Sequence, residues 1–445
     1  MRVLHVAAEA YPLIKTGGLA DVVSALPMAM NPLGVQSTLL LPGYPQVLQA
    51  ATRWKTLAYF GPAFGAAKVE LVAAHIAGLD FPVWAINAPW FFRRSAGPYQ
   101  DPQGQDWPDN AQRFALLGWI ASQMTVDDTL GEGSFDLVHA HDWHAAMTCA
   151  YLSLRHPDRT PSVFTIHNLA HQGLFPFQDH ALLGMPSAWM TPTGLEFHGR
   201  LSFMKAGLQF ADRITTVSPT YAREILTPEH GMGFDGLLRL RAEHLTGIVN
   251  GLDTTVWDPS TDPHLVAPYS SRRLHPKAEN KRALQTELGL DVRDESPLFC
   301  VVSRLTTQKG LDLLLEALEH VLWRGAQCAV LGTGDPLLEL TFRKAALARP
   351  EQIAAAQRQG NQRGIGAGIE GGQGLQVGHQ IAIPGQAAAA GVTKRPLEVL
   401  PLLGATPSEA LDFQIDAGQI VAPVLRIGNR FPGGFRRGQI GRAHV

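Results

Sequence analysis

Short apolar, β-branched runs alternate along this chain with longer stretches of helical periodicity. The first run, "RVLHVAA" (2–8), is followed by a helix-length segment and then by "STLLLP" (37–42). "FDLVHAH" (135–141), "SVFTIHN" (162–168), "RITTVS" (213–218) and "TGIVNG" (246–251) continue the alternation. Strands of this length separated by helix-length segments predict βαβ units and a mostly parallel sheet. A second set begins near residue 297. There "PLFCVVSRL" (297–305) reads as a buried strand, "GLDLLLEALEHVLWRG" (310–325) as an amphipathic helix, and "AQCAVLGTGD" (326–335) as strand and turn. The polar, proline-marked segment 257–281 reads as a connection between the two sets. The pattern predicts an α/β chain of two Rossmann-like domains facing a cleft, the first over 1–250 and the second starting over 251–350.

The pattern stops near residue 350. From Glu351 onward there is no Trp, Tyr, Met or Cys, and one lysine, Lys394, stands against eight arginines. Stretches such as "QRQGNQRGIGAGIEGGQG" (357–374) have neither helical nor strand periodicity. Residues 351–445 therefore read as a divergent Arg/Gln/Gly/Ala-rich tail, out of frame or disordered, and the second domain as incomplete.

Composition narrows the function classes. The 445 residues are 45% apolar, enough for two cores, with a formal net charge of −2. Near-neutrality gives no electrostatic case for nucleic acid or an anionic membrane as partner. No run approaches the eighteen or so apolar residues of a membrane span. Glu9 interrupts the N-terminal apolar run, which reads as a first strand and not as a signal peptide. Cys149, Cys300 and Cys328 are far apart and form no CxxC pair. That argues against a disulfide framework or zinc site and fits a reducing, cytoplasmic location.

Several predicted strands end in polar residues or glycine, and in doubly wound sheets ligands bind beyond those ends. In "LIKTGGLADVV" (14–24), Gly17 and Gly18 let backbone N–H groups approach a phosphate at a helix N-terminus, and Lys15 adds a full charge. The spacing is that of neither a Walker A loop nor GxGxxG, and a plain glycine turn with a solvated lysine fits about as well. "HAHDWHAAM" (139–147) offers three histidines and Asp142. Metal binding is the sharper reading, but side chains at a strand end diverge, so Asp142 as a helix N-cap and the histidines as cleft lining are preferred. His167 and Asn168 end another strand; His167 fits a general base, or its carbonyl faces a sugar. Arg304 and Lys309 in "SRLTTQKGLD" (303–312) are two cations suited to a diphosphate leaving group. "LGTGD" (331–335) is a second glycine turn, weak alone.

Taken together, "KTGGLADV", "HAHDWHA", "TIHNLAHQG", "FMKAGLQFADRITTVSPTYAREI", "GIVNGLDTTVWDP", "SRLTTQKGLDLL" and "LGTGDP" closely resemble the bacterial glycogen synthase and ADP-glucose starch synthase family. Order and spacing match from residue 1 to about 350. The resemblance implies the GT-B fold and transfer of glucose from ADP-glucose to the non-reducing end of an α-1,4-glucan, with retained configuration and no metal or cofactor. It implies that Lys15, Gly17 and Gly18 contact the donor's phosphates and glucose. Arg304 and Lys309 match the basic pair that neutralises the departing diphosphate. His167 matches a residue beside the glucosyl group, and Asn250 a sugar-side polar group. Asp21, Tyr99, Asp142 and Asn168 fall on matching cleft positions, and Gly334 on a substrate-side glycine.

The match stops where the composition changes. The family continues with a pattern E-P-C-G-L, whose glutamate contacts the donor glucose, and a second K-x-G-G-L-like turn. Glu351, Glu370, Glu398 and Glu409 have no such context, and no pair shows the E-x7-E spacing. From this the chain is expected to turn over weakly or not at all. Two alternatives stand beside the glucosyltransferase: a non-catalytic glucan- or nucleotide-binding remnant, and a transferase using UDP-glucose.

Overall fold

A computed structural model of the chain describes residues 1–125, 134–155, 159–254 and 257–356. The chain divides into two units, one ending at Asp253 and the next beginning at Thr254.

The first unit is built on nine strands. In chain order its elements are β1 (Arg2–Val6), α1 (Leu19–Met30), β2 (Gln36–Pro42), α2 (Pro45–Gln49), β3 (Lys55–Phe60), β4 (Val69–His75) and β5 (Pro82–Asn87). There follow α3 (Pro89–Phe92), α4 (Asn110–Gln123), β6 (Leu137–His141), α5 (Asp142–Arg155) and β7 (Ser162–Ile166). A small antiparallel sheet comes next, β8 (Leu174–Pro176), β9 (Glu196–Phe197) and β10 (Arg200–Ser202), with α6 (Asp179–Leu182) inside it. The unit ends with α7 (Phe203–Phe210), β11 (Arg213–Thr216), α8 (Pro219–Glu224), α9 (Asp235–Leu240) and β12 (Leu245–Gly247).

The large sheet runs β12-β11-β7-β6-β1-β2-β5-β4-β3. It is parallel from β12 through β5, and β4 is antiparallel to both of its neighbours. Val3, Leu4 and Val6 of β1 and Leu39 to Leu41 of β2 are fully buried. Such runs need no polar alternation, because a parallel sheet is covered on both faces.

The expected strand at 246–251 is corrected. The strand ends at Gly247, the last tie to β11 being Ile248 N–H to Thr216 C=O at 2.8 Å, and Ile248 and Val249 are 57% and 68% exposed. A β-branched run gives a strand only where a neighbour pairs with it.

The second unit contains α10 (Lys277–Glu287), β13 (Leu298–Val302), α11 (Leu311–Trp323), β14 (Gln327–Leu331), α12 (Pro336–Ala348) and β15 (Ile353–Ala356). Its sheet, β13-β14-β15, is parallel, with Cys300 opposite Ala329 and Ala329 opposite Ala354. Leu311, Leu318, Leu322, Val330, Phe342 and Ile353 form its core. The segment 257–281, expected to be a connection, belongs to this unit. It contributes the start of α10, and the Asn280 side chain pairs with both Ala267 N–H and C=O at 2.9 and 2.7 Å. The expected break at 350 also moves. Ile353 and Ala354 are buried in β15, where backbone pairing with β14 supports a run of small residues that has little strand signal of its own. Residues 357–445 of the expected tail lie outside the described residues. Among the described residues, no helix is long and apolar enough to cross a membrane.

Candidate functional site

Strand order in the first unit reverses at β1, with β2 on one side and β6 on the other. Chain leaving the carboxyl ends of β1 and β6 therefore diverges, which opens a crevice at the switch point. The connection from β1 to α1 carries Lys15, Gly17 and Gly18; Asp21 lies in the first turn of α1, Asp142 opens α5, and His167 and Asn168 follow β7.

Glu9, just past β1, organises the first of these loops. It is 2% exposed. Its carboxylate accepts from the Thr16 N–H and hydroxyl, from the Gly17 N–H at 3.3 Å, and from the Tyr99 hydroxyl at 2.5 Å. Burial, reinforced by the charge of Glu9, holds the Tyr99 phenol well above its ordinary range, so it is a neutral donor. The Tyr99 ring stacks on His144 at 4.4 Å. A bridge of one carboxylate thus fixes the glycine loop to the segment before α4.

Lys15 Nζ donates to both carboxylate oxygens of Asp21 at 2.7 Å and lies 5.6 Å from the Tyr11 ring centroid. Both side chains are partly exposed, at 31% and 48%. An arriving anion therefore competes with Asp21 for an ammonium already held in place. Gly17 and Gly18 lie outside the left-handed region. Moreover, a Cβ on Gly17 would meet nothing within 4 Å. Among the described residues, neither packing nor backbone conformation requires a glycine at 17.

The carboxylate of Asp142 serves both the start of α5 and the neighbouring strand end. The residue takes φ +60° and is 5% exposed. Its Oδ1 accepts from the N–H groups of His167 and Asn168, both at 3.4 Å, tying the end of β6 to the end of β7, and the carboxylate also takes the Trp143 N–H at the start of α5. Burial raises its carboxyl to about 7, against the pull of those N–H groups. Asn168 closes a local turn, its Oδ1 accepting from Ala170 N–H at 3.0 Å.

His167 Nε2 faces His141 Nδ1 at 3.2 Å. Burial, with His139 adding to it, lowers the His167 ring to about 3. At neutral pH it is an uncharged ring held against His141. Of the three histidines in "HAHDWHA", only His139 and His141 turn to a common face. His144 packs with Trp143 and Tyr99, and the third ring beside His139 and His141 is His5 from β1.

Asn250 sits in exposed chain past β12. In the second unit, Arg304 leaves β13 and Lys309 closes the short turn before Gly310 (φ +70°), which opens α11. Burial, then the charge of Arg304, lowers the Lys309 ammonium, so the two cations share a neighbourhood. Gly334 has a structural explanation. Leu305 N–H donates to Thr333 C=O at 2.9 Å, and a Cβ on Gly334 would stand 2.2 Å from the Leu305 carbonyl oxygen. Asp335 caps α12, accepting from Leu337 and Leu338 N–H at 2.8 and 3.2 Å.

Sequence reasoning missed Glu9 and His5. Glu9 left one signal, a carboxylate interrupting an apolar strand end. His5 left none, since its partners are set by the order of strands in the sheet.

Residues 2–240 match the family described as the starch synthase catalytic domain. The chain is 48% identical over 357 residues to a glycogen synthase of Paramagnetospirillum magneticum, covering 80% of this chain and 72% of that protein. To a glycogen synthase of Serratia proteamaculans it is 48% identical over 359 residues, covering 79% and 73%. Its structure is similar to the catalytic domain of starch synthase IV from Arabidopsis thaliana bound to ADP and acarbose. The TM-score is 0.70 at 28% identity, covering 80% of this chain and 74% of that one.

Proposed function

From the premise that this chain belongs to the glycogen and starch synthase family of GT-B glucosyltransferases, we propose that it transfers glucose from ADP-glucose to the non-reducing end of an α-1,4-glucan. The observation that carries this reading is the loop after β1. It holds a pre-placed cation, Lys15, beside a glycine at which the fold itself leaves side-chain space empty.

The chemistry follows from charge. Departure of ADP from the anomeric carbon leaves an oxocarbenium-like sugar and an anion, and cations fixed in advance stabilise the state in which that anion develops. In the first unit Lys15 serves the donor's phosphates, with Asp21 holding it until the donor arrives, and Gly17 and Gly18 admit the donor to the backbone. Glu9 and Tyr99 fix that loop. Asp142 holds His167 and Asn168, and Asn250 serves the sugar. In the second unit Arg304 and Lys309 neutralise the leaving diphosphate, and Gly334 lets the backbone turn behind them. As in the family this chain resembles, retention is accounted for by attack on the face that ADP leaves, the phosphate oxygen taking the acceptor hydroxyl's proton. No metal or cofactor takes part. Three unpaired thiols, Cys149, Cys300 and Cys328, support a cytoplasmic setting.

A second reading has its own support. Between 351 and 445 the sequence has no E-P-C-G-L pattern and no second glycine–lysine turn, which favours a remnant that binds glucan without turning over. Incubation with radiolabelled ADP-glucose or UDP-glucose and maltooligosaccharide separates the readings. The transferase incorporates label from ADP-glucose in preference to UDP-glucose. Maltooligosaccharide binding without incorporation from either donor would replace it with the remnant.

A further inference from the structure

Three histidines, His5 and His141 buried and His139 partly exposed, converge on one face of the large sheet, and the transfer chemistry uses none of them. His5 in β1 and His139 in β6 are register partners. His141 is two residues further along β6, hence on the same face as His139. Ring centroids are 4.0 Å apart for His139 and His141, 5.3 Å for His5 and His139, and 5.9 Å for His5 and His141.

One ring nitrogen from each of the three lies within 4.8 Å of the other two. Each ring also engages a polar partner: His5 Nε2 with Ser37 Oγ at 3.2 Å, His139 Nε2 with Thr165 Oγ1 at 2.6 Å, His141 Nδ1 with His167 Nε2 at 3.2 Å. His5 Nδ1 and His141 Nε2 are left buried with no hydrogen-bond partner. Both residues are 0% exposed, so no solvent compensates them. A ring oriented through one nitrogen by a hydroxyl or a second ring, with the other lone pair free, is the arrangement of a metal-ligating histidine.

We propose that His5, His139 and His141 bind a divalent transition-metal ion. Three imidazoles without a carboxylate or thiolate select borderline ions such as Zn2+, Cu2+ or Co2+ over Mg2+ or Ca2+. Zn–N bonds of about 2.0–2.1 Å require the nitrogens, now within 4.8 Å of one another, to approach to roughly 3.4 Å. The ion fixes the tautomer of His141, with Nδ1–H donating to His167. Its occupancy therefore bears on His167 from beneath, apart from the metal-free transfer step.

The test uses the full chain, stripped by chelator, in equilibrium dialysis against Zn2+ and in the visible spectrum with Co2+. The site predicts one tightly held equivalent, the absorption of a low-symmetry nitrogen-ligated Co2+, and at least tenfold weaker binding in His5→Gln and His139→Gln with native circular dichroism. His75→Gln, an exposed histidine at the end of β4, keeps wild-type affinity. No stoichiometric uptake by the folded wild type, or undiminished uptake by both site variants, overturns the proposal. Should those variants not fold, Ser37→Ala decides, because it removes only the partner of His5. Severalfold weaker binding supports the site, and unchanged binding overturns it.

Discussion

Replacing Glu9 isolates the contribution of the loop that holds Lys15. Its buried carboxylate accepts from Thr16 N–H and hydroxyl, Gly17 N–H and the Tyr99 hydroxyl. Thr16 is exposed, so its donors find water once freed, whereas the half-buried Tyr99 and Gly17 do so less readily. Hydrogen bonds to charged groups contribute about 1.5–3 kcal/mol each. Counting the two poorly rehydrated donors fully, and the others as replaced by water, Glu9→Ala costs the first unit roughly 3–6 kcal/mol. At roughly 2–4 °C per kcal/mol for a unit of this size, its unfolding midpoint falls by at least about 6 °C. Glu9→Gln keeps the shape and one acceptor oxygen and loses the charge, for a cost of about 1–2 kcal/mol. In the incorporation assay the released loop raises the KM for ADP-glucose about tenfold in Glu9→Ala, equivalent to about 1.4 kcal/mol, with the KM for maltooligosaccharide changed much less. Thermal unfolding followed by circular dichroism, together with the two KM values, checks both halves. Wild-type midpoint and donor KM in both variants would refute the tether.

Gly17→Ala is expected to leave stability within about 0.5 kcal/mol of wild type, since its Cβ meets nothing, while raising the donor KM. Gly334→Ala is expected to lower the midpoint of the second unit, because its Cβ would stand 2.2 Å from the Leu305 carbonyl oxygen; unfolding curves of the two variants make the contrast. Lys15→Met removes the cation that Asp21 holds and is expected to weaken ADP-glucose by at least tenfold in titration calorimetry, with circular dichroism unchanged. For Asp212, burial raises the carboxyl, but hydrogen bonds from Arg159 and the Ser162 N–H outweigh it and leave the group below its ordinary value. A depressed carboxylate stabilises above its unfolded pKa of about 3.9, and that contribution is lost as pH falls through the folded value. Asp212→Asn should therefore flatten the acid limb below pH ~4 in a stability–pH series, by no more than about 1 kcal/mol since the side chain is 44% exposed.

Much of the fold was legible because parallel strands buried on both faces are unbroken apolar runs. β2 and β14 carry that signature most clearly, whereas histidines interrupt β1 and β6 and β13 is only partly buried. β3 to β5 were missed: Lys55 to Phe60 is half exposed, with Tyr59 71% open to solvent, and β4 turns antiparallel. At the site, residue types at strand ends were legible, and their partners were not. The bond between Glu9 and Tyr99 spans ninety positions. Asp142 was legible by position as the start of α5, but its bonds to the His167 and Asn168 N–H groups at the end of β7 were not. His167 meets the His141 ring across two strands, a pairing that spacing does not encode. The glycines divide by packing, Gly17 left free by the fold and Gly334 required by it, though both sit in similar turns.

Glucose incorporation into maltooligosaccharide by the purified chain, with ADP-glucose and UDP-glucose in parallel and Lys15→Met beside the wild type, tests the central claim most directly. The account predicts label from ADP-glucose in preference to UDP-glucose, abolished by Lys15→Met. With no E-P-C-G-L pattern between 351 and 445, it also predicts a rate well below that of the Paramagnetospirillum magneticum enzyme. No incorporation from either donor by a folded chain that still binds maltooligosaccharide would contradict it.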